Sequence, residues 1–409
     1  MATSASFAGD DNRTINRALH SVTWFQEPPV YSPVELRNLL VGAKSLLSRD
    51  DASRRIVAEE LARRYDARAS VLTESGTAAL VMALRMFAPK GGTVAYPGYA
   101  CIDLTAAAIR AGVKVRLYDV DPVTLSPDLN SLSRTIRRGV DAIVVAHLYG
   151  YPADVSGVRD LAAKAGIAVI EDAAQAAGGS LGELPLGSFG DVSILSFGRG
   201  KGTTVGSGGA LLIRNQNAAD RLAYAGFRFD EPRGGAYDVA ALGAQWLLAR
   251  PALYGIPASI PSLKLGEMVY KPAGEPRSIS RTAAAMLSGA LRIESAEVAR
   301  RRGNATRLVG SIREGARLTP VHAINRGHPG YLRLAVLDRE GGVVARPTLG
   351  AVRGYPMTLD QHTQLRSHLL ADERAETGST LLRDRLFTVP THSRVRGSDF
   401  TRLVSWLNE

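Results

Sequence analysis

Three groups of residues in this chain have types and spacings that bear on chemistry: a lysine in a glycine-rich turn, an acid pair after an apolar run, and a Ser-Gly-Thr helix start. Lys201 stands in "SFGRGKG" (196–202), directly after the run "DVSILSF". A lysine there can be a solvated turn charge, a phosphate ligand, or an amine held in a pocket to form an imine with an aldehyde. The last chemistry is meaningful only if other groups are present to make the imine useful.

An aldehyde-bearing pyridine cofactor with a phosphate tail makes three demands on a protein. Its phosphate needs backbone N–H donors and hydroxyls at a helix start. "SGTAA" (75–79) supplies them, with Gly76 permitting close backbone approach and Thr77 adding a hydroxyl, although plain helix capping accounts for the same residues. Its ring nitrogen needs a carboxylate, because a protonated pyridinium is the electron sink. Asp172, at the end of "IAVIED", is placed for that role unless the acid pair is a surface turn. Gln175 lies three residues on, within reach of a ring oxygen if "EDAAQA" opens a helix. The aldehyde needs an amine that attacks in its neutral form and later moves protons, and Lys201 offers one. His147, in "HLYG" after a buried-looking run, reads better as a hydrogen-bonded structural histidine than as an acid or base. Arg199 either meets a carboxylate or phosphate or lines the pocket rim.

The elements that must position these residues follow from periodicity. "DASRRIVAEELARRY" (51–65) and "SGTAALVMALRMFA" (75–88) have helical spacing, the second with Ser75 and Thr77 as good capping types. Then "TVAYPG", "VKVRLYDV", "DAIVVAHLYG", "IAVIEDAA", "DVSILSFG" and "GALLIRN" alternate with amphipathic stretches such as "VSGVRDLAAKAG". That rhythm predicts a mainly parallel sheet covered by helices, with chemistry at the carboxyl ends of its strands, where Asp172 and Ser196 fall. Residues 236–277 form a Pro-broken apolar insertion, either a helical extension packed on the domain or a partner, or a segment resting on a membrane surface through 239–264. The expected organisation is a lead-in and arm (1–50), a large domain (51–235), the insertion, and a small α+β domain (278–409) containing "YLRLAVLD", "GGVVARP" and "RLFTVPTH".

The chain has 409 residues and a formal net charge of +11 whose arginines are dispersed. That distribution suits an acidic or phosphorylated small substrate better than a nucleic-acid groove, and no zinc spacing or recognition-helix pattern is present. A single cysteine, Cys101, excludes an intramolecular disulfide and fits a reducing compartment, so the cytoplasm is expected. The amino terminus lacks the pattern of a signal or transit peptide.

"SGTAAL", "HLYGYPADV", "VIEDAAQA", "GDVSILSFGRGK" and "GSGGALL" together resemble the sugar aminotransferases of the DegT/StrS type, fold-type I enzymes that use pyridoxal phosphate; the match runs from about Leu61 to Ile213, with weaker similarity to "FTVPTH" near the C-terminus. The resemblance implies an α/β fold with a mainly parallel central sheet and a smaller C-terminal α+β domain. It implies Lys201 as the imine lysine, Asp172 as the pyridinium partner, Gln175 on the ring oxygen, and Thr77, Ala78 and Ser196 on the phosphate. It further implies a homodimer with shared active sites, no metal, and transfer of an amino group from L-glutamate or L-glutamine to a keto sugar, nucleotide-linked, by way of pyridoxamine phosphate. A cyclitol or other ketone is the alternative acceptor, and a non-catalytic cofactor-binding or membrane-associated scaffold the alternative class. Retention of Lys201, where the dehydratase branch has histidine, favours transfer.

Two departures from the family pattern stand out. Where the family has an aromatic residue stacked on the cofactor ring, this chain has Cys101, so either Cys101 covers the ring face or Tyr99 or Tyr149 takes over. The segment that usually reaches the neighbouring active site is not visible after Phe227; the Pro-broken insertion replaces it, and "VYKPAGEPRSIS", with Arg277, is the candidate to serve instead.

Overall fold

The computed structural model describes residues 26–48, 50–228, 235–258, 260 and 269–409. The first 25 residues of the expected lead-in and arm, and residues 259 and 261–268 of the insertion, lie outside the described residues.

In the first half of the chain two helices, α1 (Leu36–Ser45) and α2 (Ala52–Arg64), precede β1 (Ala69–Thr73) and α3 (Gly76–Phe87). Then follow β2 (Thr93–Pro97), α4 (Asp103–Ala111), β3 (Lys114–Tyr118), α5 (Leu129–Arg137), β4 (Ala142–Ala146), α6 (Val155–Ala165) and β5 (Ala168–Asp172). A small hairpin, β6 (Ser180–Leu181) and β7 (Leu184–Pro185), leads to β8 (Val192–Ser196), β9 (Gly209–Ile213) and α7 (Gln216–Asp220).

Seven strands form one sheet in the order β1-β9-β8-β5-β4-β2-β3. The five strands from β8 to β3 are parallel, while β9 runs antiparallel to both β8 and β1. The six expected strands all form. β1, "ASVLT", is an addition: as long as the others, it lacks their strong apolar run, with Ser70 and Thr73 among its five residues.

Parallel strands buried on both faces need apolar side chains on both. Val94, Tyr96, Ile170 and Ile194 pack with Leu80, Val81 and Leu84 of α3 on one face, while Ala95, Ile143, Val145 and Val169 meet Leu132 of α5 and Val158 of α6 on the other. Nine of the twelve residues of α3 are buried; each large apolar side chain there contributes on the order of 2 kcal/mol. That burial fixes the start of α3 against the ends of β8 and β9.

The insertion supplies α8 (Gly235–Leu248) and α9 (Pro251–Ala258), with Pro251 at a first helical position, where its missing N–H costs nothing. α8 packs on α1 and on α10 (Arg281–Gly310). Among the described residues no helix is long and apolar enough to cross a membrane. The 30 residues of α10 begin under the seven-stranded sheet, through Ala283, Met286 and Leu287, and end in a second core at Leu308. That second core is built on β10 (Leu318–Pro320), β12 (Leu334–Asp338), β13 (Val352–Arg353) and β14 (Leu386–Val389), with α11 (Thr377–Arg385) and α12 (Gly397–Leu407). β11 (Gly327–His328) instead joins the β6–β7 hairpin. "GGVVARP" forms no strand: the Asp338 carboxylate accepts the N–H groups of Glu340, Gly341 and Val343 and turns the chain there.

The segment leading into α1 crosses both units. Gln26 N–H donates to Pro251 O, Glu27 N–H to Thr348 O, and His392 Nε2–H to Pro28 O. Glu27 is wholly buried, and among the described residues neither of its carboxyl oxygens has a hydrogen-bond partner. Burial, and then the Asp399 carboxylate, push it up to about 7 from 4.5. The neighbouring His392 is held neutral, its imidazole pushed by burial down to about 3. The folded chain therefore holds a proton on Glu27 that the unfolded chain releases near 4.5, so this group's stabilisation is complete below that pH and is lost as pH rises through about 7. Glu27→Gln is expected to flatten that limb and to stabilise the protein at about pH 8 by up to about 3 kcal/mol. Denaturant midpoints that match the parent's at that pH contradict it.

Candidate active site

Each candidate group sits where an element ends. Asp172 is the last residue of β5 and Ser196 the last of β8, and Gly76 opens α3. Together with Thr77 they line one cavity, partly open to solvent. Cys101, Gln175 and Lys201 line the same cavity, so residues far apart in sequence converge on it.

At one part of the wall the helix start and the strand end touch. A Cβ on Gly76 would lie 2.7 Å from the Ser196 Cβ and 3.0 Å from its Oγ, so only glycine leaves this cradle open. The first turn of a helix carries N–H groups without intrahelical partners, and the positive end of its dipole favours an anion. Ser75 is the cap, its Oγ accepting the N–H of Ala78 at 3.1 Å. Ala78 accordingly does not line the cavity: the capping serine takes the N–H expected for the phosphate. Gly76, Thr77 and Ser196 remain.

The acid pair divides its work because adjacent residues on a strand point to opposite faces. Glu171 is fully buried and accepts hydrogen bonds from the N–H groups of Gly187, Phe189 and Gly190, from Ser193 Oγ and from His147 Nε2–H. Burial opposes its charge, but the His147 bond, the Arg214 guanidinium and the backbone donors prevail and bring it down to about 2. His147 is thereby the structural histidine expected, with Nδ1 accepting the Ala153 N–H at 3.0 Å and no nitrogen left for acid or base work. Asp172 faces the cavity. Burial raises its carboxyl above the ordinary 3.8 while the Lys201 ammonium pulls it back.

"EDAAQA" opens no helix. The Asp172 Oδ1 accepts the Ala174 N–H at 3.0 Å, turning the chain locally. Gln175 still reaches the cavity, and its amide is fixed at both ends: Oε1 accepts the Tyr149 N–H at 2.8 Å and Nε2 donates to Tyr355 Oη at 2.8 Å. Tyr149 presents that N–H from a left-handed conformation, φ 55° and ψ 16°, an uncommon state for a bulky residue that costs on the order of 1 kcal/mol.

Tyr355 is the cavity residue that periodicity and motif did not reveal. It arrives from the loop after β13, and only the following Pro356 marks the spot in sequence. It also settles where the other tyrosines lie. Tyr99 is fully buried outside the cavity lining, its hydroxyl accepting the Tyr355 N–H at 2.6 Å and lying 3.2 Å from the Tyr149 hydroxyl. Tyr355 stacks on Tyr149 with centroids 5.1 Å apart. Neither Tyr99 nor Tyr149 is therefore presented to the cavity, because Tyr355 stands in front of both. Burial pushes the Cys101 thiol up to about 12, so it lines the cavity as a neutral, compact wall. Arg199 is exposed on the turn before Lys201, and Arg277 lies beside Glu74, accepting its N–H through the backbone carbonyl; neither lines the cavity. Among the described residues no group of three or more His, Cys, Asp or Glu side chains is placed to hold a metal ion.

The arrangement offers an anion cradle, a carboxylate and an amine around one space, which fits an aldehyde-bearing phosphorylated pyridine. Comparison with known proteins agrees. Residues 49–240 match the model of the DegT/DnrJ/EryC1/StrS aminotransferase family. A 160-residue stretch is 32% identical to dTDP-4-dehydro-2,3,6-trideoxy-D-glucose 4-aminotransferase from Saccharopolyspora spinosa, covering 38% of this chain and 42% of that one. A 151-residue stretch is 34% identical to L-glutamine:2-deoxy-scyllo-inosose aminotransferase from Streptoalloteichus tenebrarius, covering 37% and 36%. The matched stretches thus span about two fifths of the length of these curated relatives. The fold extends further: the crystal structure of a DegT DnrJ EryC1 StrS aminotransferase from Brucella abortus superposes with a TM-score of 0.68 at 19% identity, over 91% of this chain and 94% of that one. The chain has that enzyme's fold, a mainly parallel sheet covered by helices and followed by a smaller mixed unit.

Proposed function

We propose that this chain, which belongs to the DegT/DnrJ/EryC1/StrS aminotransferase family over residues 49–240, is a pyridoxal-phosphate-dependent aminotransferase. It moves an amino group from L-glutamate or L-glutamine to a nucleotide-linked keto sugar. The observation that carries this reading is the convergence of Lys201, Asp172 and the Gly76–Ser196 cradle on one cavity. When bound, pyridoxal phosphate supplies an electron sink for the pair left by breaking a C–H bond beside the amino nitrogen.

The protein's own residues do the rest. The N–H groups of Gly76 and Thr77, with the hydroxyls of Thr77 and Ser196, hold the phosphate at the helix start. Asp172 keeps a proton on the ring nitrogen through its negative charge, in a setting dry enough for that charge to act strongly. Gln175, clamped by Tyr149 and Tyr355, presents its amide to the ring oxygen. Lys201 would hold the cofactor's aldehyde carbon and, as a free amine, would take and return the proton at the donor's α-carbon. Cys101 forms part of the wall, and Arg199 and Arg277 meet the substrate's acidic groups only if their loops turn inward when it binds.

A cyclitol ketone is the second acceptor class, favoured by the likeness to the scyllo-inosose aminotransferase. A cytoplasmic homodimer is part of the same reading, supported by the free thiol of Cys101 and by the apolar residues Leu36, Leu40 and Tyr237 that α1 and α8 leave exposed.

Adding L-glutamate or L-glutamine to the cofactor-loaded protein is expected to bleach its visible band and raise near-ultraviolet absorbance. A band unchanged by both donors contradicts amino transfer. Tyr355→Phe, which leaves the Gln175 amide one partner short, is expected to weaken cofactor binding about fivefold, near the 1 kcal/mol of a neutral hydrogen bond. An unchanged Kd for pyridoxal phosphate contradicts that role.

A further inference from the structure

Behind the Lys201 turn, away from the cavity, lies a buried polar layer that the chemistry above does not use. Ser32 Oγ donates to the carbonyl of Lys201 at 2.5 Å and approaches that of Gly202 at 3.0 Å. Arg301, on α10 and 1% exposed, directs a single nitrogen, Nη2, at Tyr31 O, Ser32 Oγ and Gly202 O, each at 3.0 Å. One residue further along the turn, Thr203 Oγ1 donates to the buried carboxylate of Glu294, which also receives Arg64. The turn is closed against this layer: a Cβ on Gly202 would lie 2.5 Å from the Ala177 Cβ and 3.1 Å from Arg301 Nη1.

The energetics of this layer argue against a role in stability alone. A buried guanidinium is costly unless every donor is satisfied, and among the described residues Arg301 Nε and Nη1 have no hydrogen-bond partner. Its nearest carboxylate, on Glu297, stands 3.7 Å from Nε. Apolar side chains of similar volume would fill the space at less cost. A turn with glycines at 198, 200, 202 and 206 has few side chains of its own to pack, so its path must be held from outside. The holding groups come from the segment preceding α1 and from α10, the two parts of the chain that join the large sheet to the second core.

We propose that Ser32 and Arg301 are positioning residues for Lys201: by fixing the carbonyls of Lys201 and Gly202 they set where the amine enters the cavity. This rests on Lys201 being the cofactor lysine. A displacement of an ångström at a reacting group is enough to cost about a hundredfold in rate, so loss of the Ser32 hydroxyl registers at the amine before it registers in global stability.

The test reads Lys201 directly, with and without cofactor. In the cofactor-free full-length protein, the rate at which a small amine-reactive ester labels Lys201, mapped by mass spectrometry, is expected to change severalfold in Ser32→Ala while labelling of other lysines stays constant. Ser32→Thr, which keeps the hydroxyl, restores the parent rate. In the protein loaded with pyridoxal phosphate, the pH midpoint of the visible band is expected to shift in Ser32→Ala, and the band to form about tenfold more slowly. Arg301→Lys, which retains the charge but not the planar fork, reproduces both effects and serves if Ser32→Ala does not fold. Parent labelling rates at Lys201 in Ser32→Ala and Arg301→Lys, in proteins with parent thermal midpoints, overturn the proposal. If the parent chain takes no cofactor on Lys201, the aminotransferase reading falls while the labelling comparison still decides this one.

Discussion

Lys201→Ala protein is expected to fold, to bind pyridoxal phosphate without the visible absorbance of a covalent link, and to lose at least about 10³-fold in turnover. That factor corresponds to roughly 4 kcal/mol of transition-state stabilisation. The basis is that one amine both holds the cofactor and moves the proton, so its removal deletes two roles at once. Folding survives because the groups that fix the turn address its backbone: Ser32 binds the Lys201 carbonyl, and Thr204 Oγ1 donates to Gly198 O at 3.0 Å. The checks are the absorbance spectrum, the thermal midpoint and single-turnover kinetics. Multiple turnovers at the parent rate contradict the assignment.

Asp172→Asn separates binding from proton transfer. The amide keeps an oxygen for the Ala174 N–H, so the turn after β5 is preserved. It removes the charge that keeps the ring nitrogen protonated, in a position where burial already weighs against that charge and only the Lys201 ammonium, the backbone bond and His147 support it. The covalent link to Lys201 is expected to form normally, while exchange of the donor's α-proton with deuterated solvent slows by about 10²–10⁴-fold. Exchange at the parent rate contradicts the role given to Asp172. Glu171 is the internal contrast: it shares the strand, carries an ordinary acid's charge deep in the fold, and has all its partners in the protein.

What could be read from the sequence, and what could not, follows the reach of each interaction. Asp172, Ser196 and Gly76 are legible because each ends or begins an element whose apolar period is strong, and in a parallel sheet those ends gather on one edge. Lys201 is legible by its place after such a strand. The reversed direction of β9 leaves no mark in periodicity, and β1 is recruited by pairing with β9. Ala78 was an expected phosphate ligand, yet the Ser75 cap that the same motif announces takes its N–H. The short-range hydrogen bond of Asp172 to Ala174 turns the chain where a helix start was expected. Tyr355 and Arg301 belong to parts of the chain far beyond Lys201 in sequence, and tertiary packing alone brings them to the cavity and to the turn behind it. Tyr99 shows the same limit from the other side: its type suits a ring face, but Tyr355 occupies the position in front of it.

Loading the protein with pyridoxal phosphate, reducing it with borohydride, digesting it and locating the phosphopyridoxyl group by mass spectrometry identifies the lysine that holds the cofactor. Stoichiometric modification of Lys201 is expected, abolished in Lys201→Ala. A group attached to any other lysine, or protein that emerges unmodified, would contradict it.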